Sequence, residues 1–170
     1  MKVFGIILFV LVLAIAGVYI AGARLPYSHS VSVTGVVPAP QDKVFALITN
    51  VVKGAQWRPA VKSVTVLEPD QGRDHWVEHL KYGQFMTFLA TSTEPPVRRD
   101  VLLDDPKAAY GGTWTYELSP GPDPSTTTLR ITETGFIKPP LYRFVMAHVI
   151  GPTHNLDQYM TDIQAAAGKQ

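Results

Sequence analysis

Two glutamates in this chain occupy positions where a carboxylate is costly, which makes them the first candidates for chemistry. In the run Arg73–Tyr82, alternate residues place Trp76, Glu78, Leu80 and Tyr82 on one face and His75, Val77, His79 and Lys81 on the other. The first face is the more apolar and is expected to point inward. In Thr128–Gly135 the apolar face carries Leu129 and Ile131, and Glu133 continues it. A carboxylate removed from water is unfavourable unless it is paired or protonated. Arg143, in the helical segment that follows, is the expected partner of Glu133, with His148 about 1.4 turns further on. Glu133–Arg143 is read first as an ion pair pinning helix to sheet. The sharper alternatives for Glu78 and Glu133 are contact with a ligand's polar head group, or acid–base action on a bound carbonyl.

Around these carboxylates lie large side chains that could line a cavity or fill a core: Trp57, Trp76, Trp114 and Tyr116, with Leu80 and Met86. Metal ligation finds little support. His75 and His79 share a strand face but lie about 13 Å apart at roughly 3.3 Å per residue, too far for one zinc. The chain has no cysteine, which removes thiolate ligands, thiol nucleophiles and disulfides alike. There is no Gly-x-Ser-x-Gly elbow and no glycine-rich phosphate loop; Gly111-Gly112 opens a strand, not a helix. The motifs therefore assign no catalytic residue, no metal and no cofactor.

The elements that must position these side chains follow from periodicity and turn chemistry. Val31, Val33, Gly35 and Val37 alternate with polar residues as a first strand, stopped by Pro38-Ala39-Pro40. Pro40 and Asp42 suit the first turn of a helix, whose apolar stripe is Val44, Phe45, Leu47 and Ile48. A second short helix ends before Trp57-Arg58-Pro59. Strands are then expected over 61–67, 73–82, 85–93, 97–103, 111–118 and 128–135, separated by Pro, Gly and Asp turns. Residues 141–167 show helical spacing interrupted at Gly151-Pro152. Strands segregated from helices in this order imply an α+β fold in which seven antiparallel strands curl around the last helix.

The first 24 residues stand apart. Val3 to Ala23 are 21 uncharged, mostly aliphatic residues, about 31 Å as a helix, enough to cross a hydrocarbon core of about 30 Å. Ala21-Gly22-Ala23 also resembles a signal-peptide cleavage site, but the apolar run is longer than such leaders carry and its leading end holds one charged side chain, Lys2. A retained single-pass anchor through residues 3–23 is the preferred reading, with a cleaved leader as the alternative. The positive-inside rule puts the N-terminus in the cytoplasm and the domain outside. Residues 25–30 read as a linker and 31–167 as one domain. From Arg24 onward there are 14 acidic and 14 basic residues without a block of either sign, so no basic stripe invites nucleic acid.

Several fragments in this order resemble the START-like, or SRPBCC, superfamily and within it the polyketide cyclase/dehydrase and lipid-transport group. They are Val36 to Phe45 (Val-x-Pro-Ala-Pro-x-x-Lys-Val-Phe is their spacing), Trp57-Arg58-Pro59, Met86-Thr87-Phe88, Glu94-Pro95-Pro96, Gly111 to Glu117, Thr132-Glu133-x-Gly135 and Pro140-x-x-Arg143-Phe144. The resemblance implies a helix-grip fold with an apolar cavity between sheet and long C-terminal helix. It carries no universal catalytic motif. The leading expectation is a membrane-anchored domain that binds a hydrophobic small molecule or lipid, with Trp57, Trp76, Glu78, Leu80, Met86, Trp114, Tyr116, Glu133 and Arg143 at the ligand. A cyclase or dehydratase using Glu78 or Glu133, and a tethered protein-interaction module, are the alternatives.

Overall fold

A computed structural model describes residues 2–169 of the chain. The apolar N-terminal segment is one helix, α1 (Lys2–Arg24), and the first strand, β1 (Ser28–Val37), begins four residues after it. Two short helices, α2 (Gln41–Thr49) and α3 (Gly54–Trp57), precede six consecutive strands. These are β2 (Val61–Val66), β3 (His75–Leu80), β4 (Phe85–Glu94), β5 (Arg98–Leu103), β6 (Tyr110–Pro120) and β7 (Thr127–Ile137). The chain closes with α4 (Pro140–Val145), a π-helical turn over Met146–Ile150, and α5 (His154–Ala167).

All seven strands form one curved antiparallel sheet in the order β1-β7-β6-β5-β4-β3-β2. The meander β2 to β7 pairs neighbour with neighbour, and β1 returns to the edge of β7, so the α+β expectation holds. Inward residues follow the expected alternation: Val31, Val33, Gly35 and Val37 on β1, Leu129 and Ile131 on β7, Tyr116 and Leu118 on β6. Strand β3 obeys it only to Leu80. Tyr82 was expected to point inward, but it lies in the β3–β4 turn at Gly83 (φ 82°) and is 92% exposed.

Strands β6 and β7 pair with glycine opposite glycine at Gly112 and Gly135. Gly112 has φ 147°, a region that side-chain-bearing residues rarely adopt, and a Cβ there would collide with the Thr134 carbonyl and the Gly135 Cα. A Cβ on Gly135 would in turn strike the Gly111 carbonyl oxygen, so the two glycines let the paired backbones approach closely.

The helix α5 buries Leu156, Tyr159, Met160, Ile163 and Ala167, a stripe at helical spacing, against the concave face. Gly35 makes room for it: a Cβ on Gly35 would stand 2.8 Å from the Met160 sulfur. On the other flank, α2 contributes Val44, Phe45 and Ile48 to the same core. The expected C-terminal helix is in fact two pieces with different jobs. Gly151 (φ 102°) breaks it, α5 covers the sheet, and α4 packs against the end of α1, where Gly22 is buried against the Pro140 carbonyl group and Phe144.

Candidate functional site

The concave face divides into two halves. Toward the Val37 end of β1, Val37, Leu129, Ile131 and Leu118 are sealed beneath α2 and α5. Toward the other end, inward residues of the same strands are only half-buried: Val31 and Val33 on β1, Glu133 on β7, Trp114 on β6, Met86 and Phe88 on β4. Where the halves meet, Tyr159 of α5 stands among Trp57 (ring centroids 5.4 Å apart), Trp114 (5.8 Å) and Tyr116 (5.3 Å). Three of these contacts are edge-on or tilted, the geometry that aromatic quadrupoles favour.

Glu78 lies beside this cluster and is 4% exposed. Its partner is Arg58, which follows α3 and donates from Nη1 to Oε1 at 2.5 Å; Trp76 Nε1 donates to the same oxygen at 3.4 Å. Arg58 also lies over the Tyr159 ring, 5.3 Å from its centroid. Burial pulls the Arg58 guanidinium down, but Glu78 and then Tyr159 outweigh it and leave it above its ordinary value. The other carboxylate oxygen, Glu78 Oε2, is buried without a hydrogen-bond partner, as is the indole N–H of Trp57. A buried acceptor and a buried donor left open are each costly; a ligand hydroxyl or amine could donate to Glu78 Oε2, and a ligand hydroxyl or carbonyl could accept from Trp57 Nε1.

Glu133 and Arg143 do not pair, contrary to the expectation. Glu133 lies 3.3 Å from His29 Nε2 on the neighbouring strand. Arg143 instead donates from Nε to the Gly22 carbonyl at 3.0 Å and from Nη1 to the Ile137 carbonyl at 3.3 Å. The reason is the turn of α4 toward α1, which carries Arg143 to the end of the apolar helix. Of the other expected site residues, Trp57, Trp76, Glu78, Trp114 and Tyr116 are brought together. Met86 opposes Glu78 in register, and Leu80 sits half-buried at the end of β3. Sequence reading missed three members: Arg58, Tyr159 and Arg99. The last is inward-facing and 1% exposed, reaches Asp74 at 2.9 Å and lies over Trp76.

The expected enclosed hollow between sheet and helix is occupied at its deep end by these rings. Two open clefts of about 460 and 360 Å³ lie elsewhere, one between α2 and the β2–β3 connection, one beside the β3–β4 turn. Only Trp76 and Met86 of the expected site residues line them. The half-buried stretch of the concave face, packed against the core on one side, ends on an aromatic cluster and a buried carboxylate.

The family profile described as polyketide cyclase / dehydrase and lipid transport matches residues 37–150. The chain belongs to this family. Among solved structures, the Zhui aromatase/cyclase from Streptomyces sp. R1128 is similar over 84% of this chain and 94% of its own, at 16% identity and a TM-score of 0.69. A START superfamily protein from Mycobacterium smegmatis is 18% identical over 83% and 98%, TM-score 0.63. A point mutant of norcoclaurine synthase from Thalictrum flavum, in complex with a transition-state analogue, is 10% identical over 84% and 95%, TM-score 0.63. At these identities the likeness establishes a shared fold. No curated protein matches the sequence.

The two buried phenols on the concave face, Tyr159 and Tyr116, have a measurable signature. Burial, offset in part by Arg58, pushes the Tyr159 hydroxyl up to about 12, and burial with the adjacent Tyr159 raises Tyr116 well above its usual range. A folded-state value above the unfolded value means that the stability is complete below about pH 10 and is lost as pH rises toward about 12. The unfolding free energy from denaturant titrations should fall across that window, by on the order of 3 kcal/mol for Tyr159 alone. In Tyr159→Phe the fall should be visibly shallower; an unchanged slope would show that the phenol is solvated.

Proposed function

We propose that this protein is a membrane-anchored domain that binds a hydrophobic small molecule or lipid along the half-open concave face, with the ligand's polar group at Glu78 and Trp57. One observation supports this most: inward-facing apolar residues of three strands are left partly uncovered beside a buried carboxylate that has one oxygen free. Ordinary cores cover such a surface and pair such an oxygen. The partly uncovered stretch, read as a trough, supplies apolar area, and the open donor and acceptor supply orientation, the usual division of labour in a ligand site. Family membership agrees, since the profile's own description includes lipid transport.

In this reading residues 1–24 anchor the domain. The apolar helix Val3–Arg24 is long enough to cross a bilayer, and the charge balance favours the domain on the extracytoplasmic side. An acid–base enzyme at Glu78 is the second reading, favoured by the same free oxygen. A carboxylate clamped by a guanidinium at its other oxygen serves better as a fixed acceptor than as a mobile proton carrier, which places binding first.

Native mass spectrometry of the protein purified in mild detergent should show a co-purifying apolar molecule or uptake of added long-chain alcohols and fatty acids. Trp114→Ala should weaken uptake about tenfold, the equivalent of roughly 1.4 kcal/mol, within the range of one aromatic contact. Binding unaffected by Trp114→Ala would remove the trough from the account.

A further inference from the structure

The strand ends give the trough a direction. The start of β1 (Ser28), the end of β7 (Ile137), the start of β6 (Tyr110), the β3–β4 turn and the start of β2 all lie at one end of the sheet, as the register pairs Ser28 with Phe136, Tyr110 with Ile137 and Val61 with Leu80. This is the uncovered end of the concave face, and it is also the end at which α1 arrives.

The junction with α1 is built, not a loose tether. Gly22 is buried, and a Cβ on it would strike the Pro140 carbonyl group and come within 3.3 Å of Phe144. Arg143 ties the Gly22 and Ile137 carbonyls with one guanidinium. Gly22 lies 19 residues beyond Val3, about 29 Å along the helix axis at about 1.5 Å per residue, against a hydrocarbon core of about 30 Å. If α1 spans the bilayer, α4 is therefore packed on it at headgroup depth.

The side chains presented at that depth fit a membrane interface. Outside α1, every exposed tyrosine of the described residues lies here: Tyr27, Tyr82, Tyr110 and Tyr142. The turn following α4 adds Val149, 71% exposed, and the β3–β4 hairpin adds Phe85, 70% exposed. Tyrosine at headgroup level, with aliphatic side chains pointing past it, is the pattern of an interfacial belt.

We propose that this end of the domain docks on the lipid surface as one face, held by the Gly22–α4 junction, so that the trough opens onto the bilayer and its ligand enters from the membrane. This rests on the reading of α1 as a retained anchor and of the trough as the ligand site. The occupant of the face is phospholipid, since α1 delivers it there.

The chain has no cysteine, so single cysteines carrying an environment-sensitive fluorophore report position cleanly. With the full chain in phosphatidylcholine–phosphatidylglycerol vesicles, labels at Tyr82→Cys and Val149→Cys should be quenched several-fold more by spin-labelled lipid than labels at Val36→Cys and Val97→Cys, and protected from aqueous iodide. Gly22→Leu, which forces α4 off α1, should make the first pair iodide-accessible while α1 stays inserted. Labels at 82 and 149 as accessible to iodide as those at 36 and 97 in the otherwise unaltered chain would overturn the proposal, whatever Gly22→Leu does. Ligand retention in native mass spectra is read separately: bound ligand with freely accessible labels sinks the docking alone, and docked labels without ligand sink the binding site.

Discussion

Replacing Arg58 with methionine should lower the stability of the domain by about 3–5 kcal/mol, a fall in Tm of roughly 6–20 °C at this size. The side chain of Glu78 is 5% exposed and that of Arg58 is 24% exposed. Removing the arginine therefore strands a carboxylate that cannot reach water, with one oxygen already unpartnered. Glu78→Leu should cost much less, because a partly exposed guanidinium can turn outward to solvent. The double variant Arg58→Met/Glu78→Leu should recover most of the loss, as buried ion pairs replaced by apolar residues of similar volume commonly do. Thermal denaturation of the four proteins gives the coupling directly. A double variant no more stable than Arg58→Met alone would mean that Glu78 is held by something other than Arg58.

Tyr159→Ala is the second large effect. The ring touches Trp57, Trp114, Tyr116 and the Arg58 guanidinium, and truncating an aromatic in such a setting costs about 3–5 kcal/mol through lost contacts and the space left behind. If the aromatic wall forms the end of a ligand trough, that space is continuous with it. Apolar compounds should then restore stability in a concentration-dependent way, by about 2.7 kcal/mol at a hundredfold excess over their Kd. Loss of stability without rescue by indole, benzyl alcohol or medium-chain alcohols would show Tyr159 to be core filling only.

Which parts of this were legible in the sequence follows from the range of the forces involved. The strands and the α5 stripe come from local alternation, so Trp76, Glu78, Trp114 and Tyr116 were placed on the inner face correctly. Tyr82 was misplaced because the alternation continues past Leu80 on paper, while the chain has already entered the turn at Gly83. The partner of Glu78 was hidden because Arg58 sits in a short aperiodic link between α3 and β2, and only the docking of α3 beside α5 brings it near. Arg143 was assigned to Glu133 on the assumption that the whole C-terminal helix lies on the sheet. The apolar run of α1 carries no local pattern that marks it as a packing partner of α4, so the roles of Gly22 and Arg143 appear only in three dimensions. The filled deep end of the trough depends on ring volumes meeting across three elements, which no one-dimensional pattern records.

The central claim is that an apolar molecule occupies the uncovered half of the concave face. The most direct measurement is photocrosslinking of the full chain with a diazirine-bearing long-chain alcohol, followed by mapping of the labelled peptides. The account predicts labels on the strands that carry Val31 and Val33, Met86 and Phe88, and Trp114, competed away by excess unlabelled alcohol. Labels confined to α1 and to the convex side of the sheet, around Thr132 and Thr115, or labels that no competitor displaces, would contradict it.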